Sequence, residues 1–180
     1  QELLAREIAT KQNVELVVLR PGNVFGAGSP QWVKSVIAEL KRGTPTLLGG
    51  GYGNPGFVYI DNLVDALILA SENPKAVGRI YNIGDGYDLS WKTYFTDLAK
   101  MANAPQPKVI PRWLGRALAG AIEPVWYGLK LKGRPPLTYE AFNLVASDAR
   151  FPITRAQKEL GYEPRVKYEE AMKEIEKSLK

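Results

Sequence analysis

The run Val14–Gly28, VELVVLRPGNVFGAG, limits most sharply what this chain can become. Val14, Leu16, Val17, Val18 and Leu19 are apolar and mostly β-branched, the pattern of a strand covered on both faces, as in a parallel sheet. The strand is expected to stop at Arg20-Pro21, because proline fixes φ and has no N–H to give a ladder. Gly22, Gly26 and Gly28 then permit a tight loop that can approach another group closely. In open α/β sheets ligands sit beyond the carboxyl ends of the strands, which is where this loop falls. A plain Pro-Gly turn would carry the same residues.

The flanking segments extend an α/β reading. Glu2–Lys11 spaces Leu4 and Ile8 for a helix that stops near Asn13 and feeds the strand. Trp32, Val33, Val36, Ile37 and Leu40 recur with helical period as far as Gly43. Thr46–Leu48 reads as a short strand. Gly49–Gly56 (GGGYGNPG) lacks the Lys-Ser/Thr of a phosphate loop and reads as a mobile loop, a hairpin or a lid. Phe57–Ile60 is expected as a strand, with Asp61 as N-cap of a helix over Asn62–Ser71 that packs Leu63, Leu67, Ala70, Val64 and Ile68 on the sheet. Arg79–Gly84 is a further buried strand. Ser90 caps a helix that turns Trp91, Tyr94, Phe95, Leu98 and Met101 inward. Val109-Ile110 suits a short strand. Arg112–Leu131 is apolar but divided by Pro124, either as core or lid helices or as an interfacial segment with Trp113, Trp126 and Tyr127 at a membrane surface. Thr138–Ser147 is predicted helical. Thr154–Gln157 is a capping box closed by Gly161, and Tyr168, Met172, Ile175 and Leu179 line a terminal helix.

Composition narrows the chemistry. Across 180 residues there is no cysteine and no histidine, so disulfides, thiolate metal sites, imidazole bases and His-containing triads are excluded and no metal site is expected. The formal charge is +5. Its excess collects at Lys108, Arg112, Arg116, Lys130, Lys132, Arg134 and Arg150, against Glu123, Glu140 and Asp148. Such an excess serves as a solvated face or meets an anionic lipid or ligand; nucleic acid is not the expected partner. Gln1–Gln12 lacks a secretory h-region, and no run reaches ~18 apolar residues. The expected location is cytoplasmic, with contact at a membrane surface as the variant.

Four blocks in order, LRPGNVFGAG (Leu19–Gly28), FVYIDNLVDALILA (Phe57–Ala70), IYNIGDGYDLSW (Ile80–Trp91) and ITRAQKELGYEP (Ile153–Pro164), resemble the C-terminal half of an extended short-chain dehydrogenase/reductase. The resemblance is strongest to the 3β-hydroxysteroid dehydrogenase/isomerase-like branch, which Pro136–Thr138 also suggests. It implies an α/β fold: the last strands and helices of a Rossmann-like parallel sheet (1–28 and 57–84) plus a smaller, mostly helical substrate-binding part (29–56 and 85–180). It implies NAD or NADP as cofactor, with Pro21, Gly22, Asn23 and Val24 holding the nicotinamide carboxamide through main-chain donors. Phe25, Trp32, Phe57, Tyr59, Trp126 and Tyr127, with the Gly49–Gly56 loop, would line or cover a small-molecule substrate. Asp61 matches an acidic position and is read as a structural cap.

The same resemblance marks departures. Nucleotide-sugar epimerases of the superfamily carry Arg-Asp where this chain has Pro55-Gly56. A lipophilic alcohol or ketone is therefore the expected substrate, with an epimerase or dehydratase as the alternative. Lys167 stands where a Ser/Thr cap is usual. None of the nine tyrosines has lysine four places on, so no catalytic residue is assigned. The family's Tyr-x-x-x-Lys, glycine motif and ribose-selecting acid are expected in a preceding half, and these residues alone are expected to be inactive and poorly soluble. In that longer protein the Gln1–Gln12 helix belongs to a homodimer interface. A non-catalytic binding or RNA-associated protein of the same fold is the remaining alternative.

Overall fold

The computed structural model of the chain describes residues 1–43, 46–133, 135, 138, 140, 142–143 and 152–179. Among them are seven α-helices and six short strands, all paired parallel two by two. The chain forms two compact units, Gln1–Ala27 with Gly56–Tyr87 and Phe151–Ser178, and Gly28–Pro55 with Asp88–Arg150 and Leu179–Lys180.

In the first unit, α1 (Glu2–Gln12) ends at Asn13, whose φ of 54° closes the helix in the left-handed region. Strand β1 (Val18–Pro21) pairs with β5 (Ile80–Ile83), and β2 (Asn23–Phe25) pairs with β4 (Phe57–Tyr59). The strand ends at Pro21 as expected, with Pro21 as its last residue, in register with Ile83. The N–H groups of Val18 and Gly22 donate to Arg79 and Ile83. Donors alternate along a strand, so the group that proline lacks is on the side away from β5. At Gly22 the chain passes from β5 to β4: Gly22 N–H meets the Ile83 carbonyl at 2.8 Å and Asn23 N–H the Gly56 carbonyl at 3.0 Å. Only glycine fits there, because a Cβ on Gly22 would lie 1.9 Å from the Gly56 oxygen.

Helix α3 (Ile60–Glu72) follows β4 directly. It buries Asn62, Ala66 and Ala70, with Leu63 and Leu69 half-buried, while Val64, Leu67 and Ile68 stay exposed. The packed face thus differs from the expected one, because the small Ala66 and Ala70 let the helix lie close on the strands. The segment 151–178, expected with the substrate-binding part, packs in this first unit instead. Its α6 (Thr154–Leu160) sets Ala156 and Leu160, followed by Tyr162, into the core formed by Val58, Tyr81 and Ile83. Thr154 is the first helical residue rather than the cap, which falls on Ile153, while Gly161 closes the helix at φ 67° as expected. Helix α7 (Tyr168–Ser178) buries Ala171, Met172 and Ile175.

In the second unit, Ser29 accepts from Trp32 N–H and opens a π-helical turn (Pro30–Lys34) leading into α2 (Ser35–Lys41). Val36, Ile37 and Leu40 are buried, and α2 packs on α4 (Trp91–Met101) with its buried Trp91, Tyr94, Leu98 and Ala99. Ser90 caps α4 as expected, accepting from Thr93 N–H at 3.1 Å. The short strands β3 (Thr46–Leu48) and β6 (Lys108–Ile110) pair, joined to a 3₁₀ turn over Gly49–Gly51. Pro124 does not divide the next segment, since α5 runs unbroken from Arg112 to Gly128. Pro124 lies on the exposed side, where losing one hydrogen bond leaves a carbonyl open to water. Most of the helix expected over Thr138–Ser147, and the motif at Pro136–Thr138, lie outside the described residues.

Candidate functional site

The carboxyl ends of β2, β4 and β5 converge on a buried carboxylate, Asp85. It follows β5 between Gly84 and Gly86 and accepts from Tyr59 N–H at 2.6 Å, Asn62 Nδ2 at 2.9 Å and the Tyr162 hydroxyl at 3.4 Å. Its own N–H donates to the Phe57 carbonyl at 2.9 Å. Burial is the largest influence and raises its pKa; the hydrogen bonds it accepts, that of Tyr59 N–H first and those of Asn62 and Tyr162 with it, oppose that rise. Tyr87 and Tyr162 are pushed up too, first by burial and then by the negative charge of Asp85.

Asn62 extends the network. It is fully buried, donates also to the Val166 carbonyl at 3.0 Å, and accepts from the N–H groups of Arg165 and Val166 at 3.0 and 2.9 Å. The Tyr87 hydroxyl donates to the same Val166 carbonyl at 2.7 Å. Outside, Arg165 forks onto Asp65. The turn before α7 is thereby held to the start of α3 and the end of β5.

Asp61 was expected to cap α3. It lies instead within the first turn, exposed, where a carboxylate still favours the helix N-terminus. The carboxylate that meets the start of this helix is Asp85. An acid between two glycines just past a buried strand was the available signal, and neither Asp85 nor Asn62 was singled out from it.

Of the expected substrate-lining residues, the structure brings Phe25, Phe57 and Tyr59 together. Phe25 and Tyr59 are register partners, with ring centroids 5.5 Å apart, and Phe25 lies 4.8 Å from Phe57. All three are at most 5% exposed, packed on each other and on Tyr87. Burial raises the pKa of Tyr59. Trp32 belongs to the second unit, half-buried against Trp91 at 5.3 Å, its carbonyl accepting from Tyr94 at 2.7 Å. Trp126 is half-buried and donates to the Gly133 carbonyl at 3.2 Å, whereas Tyr127 is 60% exposed.

The cofactor-binding run meets a tighter constraint. Free main-chain donors were expected at Pro21–Val24, yet Gly22 and Asn23 both donate to carbonyls of their own unit. Pro21 has none to offer. By strand alternation the Val24 N–H faces away from β4 and is the donor suited to a carboxamide. The residues present thus fit the nicotinamide end of a dinucleotide. Gly49, Gly50 and Gly51 have positive φ but open no α-helix, so this run lacks the helix N-terminus that holds a diphosphate in glycine-rich loops. No group of three or more acidic side chains able to hold a metal occurs among the described residues.

A Rossmann-like α/β protein is the class these parallel strands and helices define. The solved UDP-glucose 4-epimerase of Thermotoga maritima, held with UDP-glucose, shares the fold with a TM-score of 0.65 at 23% identity, over 99% of this chain and 50% of that one. A model of the NAD dependent epimerase/dehydratase family matches residues 1–84. Sterol-4-alpha-carboxylate 3-dehydrogenase of Schizosaccharomyces pombe is 32% identical over 177 residues, 92% of this chain and 50% of that protein. The 2-alkyl-3-oxoalkanoate reductase of Stenotrophomonas maltophilia is 27% identical over 175 residues, 94% of this chain and 53% of that protein. Residues 1–84 thus match the NAD-dependent epimerase/dehydratase family, and about nine-tenths of the chain is similar to these curated proteins. It spans about half the length of the curated relatives it matches. Solved proteins of this fold hold NAD or NADPH.

Proposed function

We propose that these residues are the nicotinamide- and substrate-contacting portion of an NAD(P)-dependent oxidoreductase that acts on a lipophilic secondary alcohol or its ketone. The observation that carries this is at Pro55-Gly56. Pro55 is buried, and the Gly56 carbonyl is taken by Asn23 at the β2–β4 junction. No side chain of that pair can clamp a diphosphate, and Phe25, Phe57 and Tyr59 stand just beyond it. Two of the oxidoreductases similar over nine-tenths of this chain act, by their names, on a sterol and on an alkyl oxoalkanoate.

In this reading the bound nicotinamide supplies or accepts the hydride. Val24 N–H orients the carboxamide, because a fixed donor on a strand costs no reorganisation when the ring docks. Asp85 is read as a positioning residue, because its bonds run to Tyr59 N–H and to Asn62 at the start of α3. None of these residues is assigned the proton transfer. A homodimer through α1 belongs to the same reading, since that helix buries nothing and leaves Leu3, Leu4 and Ile8 at 82%, 58% and 43% exposure.

The test is turnover by the full-length natural protein with NAD+ or NADP+ against hydroxysteroids, 3-hydroxyalkanoates and UDP-sugars. Cofactor reduction with a steroid or alkanoate is the expected result. Epimerisation of a UDP-sugar without net reduction would replace this reading with the second one, which the family and the UDP-glucose-bound neighbour favour.

A further inference from the structure

The outward face of α5 has no part in the site described above. Trp113 is 73% exposed, Val125 56%, Tyr127 60%, and beyond the helix end Leu129 67% and Leu131 47%. The opposite side of the helix buries Gly115 and Ala119, the latter against Ile110 and Phe142. Trp126 is turned to that inner side, so the outward apolar set is not the one expected from the sequence. Isolated exposed apolar residues are ordinary, but a face of this composition along one amphipathic helix is not.

Within the segment from Arg112 to Gly133 the exposed charges have one sign: Arg112 at the start, Arg116 one turn on, and Lys130 and Lys132 at the end. Glu123, the single acid from Arg112 to Gly133, is half-buried. A tryptophan at one end, a tyrosine near the other and cations outside both are the arrangement that places a helix in the plane of a bilayer surface. An anionic surface complements those cations, whereas a neutral apolar partner would leave them unmatched.

Depth follows from the backbone. Pro124 has no N–H for the Gly120 carbonyl, and both residues are on the exposed side. A carbonyl without its donor is tolerated among headgroups and hydration water but not in hydrocarbon. No helix among the described residues is long and apolar enough to cross a membrane. We infer that α5 and the Leu129–Lys132 turn form a shallow interfacial anchor that seats this protein on an anionic lipid surface.

The experiment is co-sedimentation of the full-length natural protein with phosphatidylcholine vesicles, with and without phosphatidylserine, at low and high salt. Binding is expected with phosphatidylserine, weakened by salt. The combined variant Trp113→Ser, Val125→Ser, Leu129→Ser should abolish it, and Arg112→Gln, Lys130→Gln, Lys132→Gln should lower partitioning roughly a hundredfold. All six positions are exposed, and unchanged circular dichroism and Tm separate loss of anchoring from loss of fold. Equal binding by either variant and the wild type overturns the proposal. So does a wild type that ignores vesicles and self-associates through this face, read as a dimer in sedimentation velocity that the serine variant dissociates.

Discussion

The two ends of the first unit's strands are built on different terms. At the carboxyl ends, Asp85 and Asn62 are almost wholly buried and bonded to main-chain and side-chain groups from four stretches of chain. At the amino ends, Val17 and Leu19 face Leu67, Ala70 and Val77 across an open hollow of about 450 Å³. Leu67 there is 52% exposed. One end is fixed by hydrogen bonds whose partners are all internal. The other is apolar surface left in water. The geometry beside the proposed nicotinamide contact therefore depends little on what happens at the far end, where Val17, Leu19 and Leu67 border an open hollow.

Breaking the internal end should cost the most. Asp85→Ala strands the Tyr59 N–H, the Asn62 amide and the Tyr162 hydroxyl without their acceptor, a loss of roughly 2–4 kcal/mol in urea unfolding. Asp85→Asn keeps the shape but points an NH₂ at other donors, for roughly 1–2 kcal/mol. The pH dependence separates the two influences on this carboxyl. Burial, the largest, raises its folded pKa above 3.8. A raised carboxyl binds its proton more tightly when folded, so its stabilising contribution is complete below 3.8 and is lost as pH rises through the raised value. The wild type's margin over Asp85→Asn should therefore shrink from acid to neutral pH. A margin that grows would mean that the hydrogen bonds outweigh burial.

What the sequence made legible follows the same division. The strand stop at Pro21, the strand at Ile80, the Ser90 cap and the Gly161 stop are local patterns, and the structure has each of them. The run before Pro21 was expected to be covered on both faces, but it is a strand only from Val18, is half-buried, and leaves Val14 56% exposed. The errors came where a distant partner decides. Asp61 looked like a cap because it precedes the helical pattern, but Asp85 reaches Tyr59 N–H from beyond β5. The α3 face was misjudged because hydropathy favours leucine and isoleucine, whereas close packing here selects Ala66 and Ala70. The resemblance set Phe25, Phe57 and Tyr59 along a substrate; their near-complete burial against one another comes from the β2–β4 register, which pairs residues far apart in the chain.

A smaller loss is expected at the junction between the strand pairs. In Gly22→Ala the added methyl would sit 1.9 Å from the Gly56 oxygen, so β2 and β4 must separate locally. The cost expected for such overpacking is about 1–3 kcal/mol. Because Val24 lies two residues on, in β2, KM for the nicotinamide cofactor should rise in the full-length protein while the Asp85 network keeps its pH response. If both change together, the network and the junction are one structure, and the internal end is less divided than its hydrogen bonds imply.

The smallest effect is expected at the open end, and it tests whether that end is open in solution. Leu67→Ser replaces a side chain already half in water, at a position outside the packed face of Ala66 and Ala70. In the 180-residue chain the change should stay within about 0.5 kcal/mol of wild type. The same substitution in the full-length protein reads the cover directly, because a leucine buried there would cost about 2 kcal/mol or more when replaced. Equal, small losses in both would leave the hollow a true surface feature. A loss confined to the longer chain would show that the apolar end is completed from outside these residues while the Asp85 end is not.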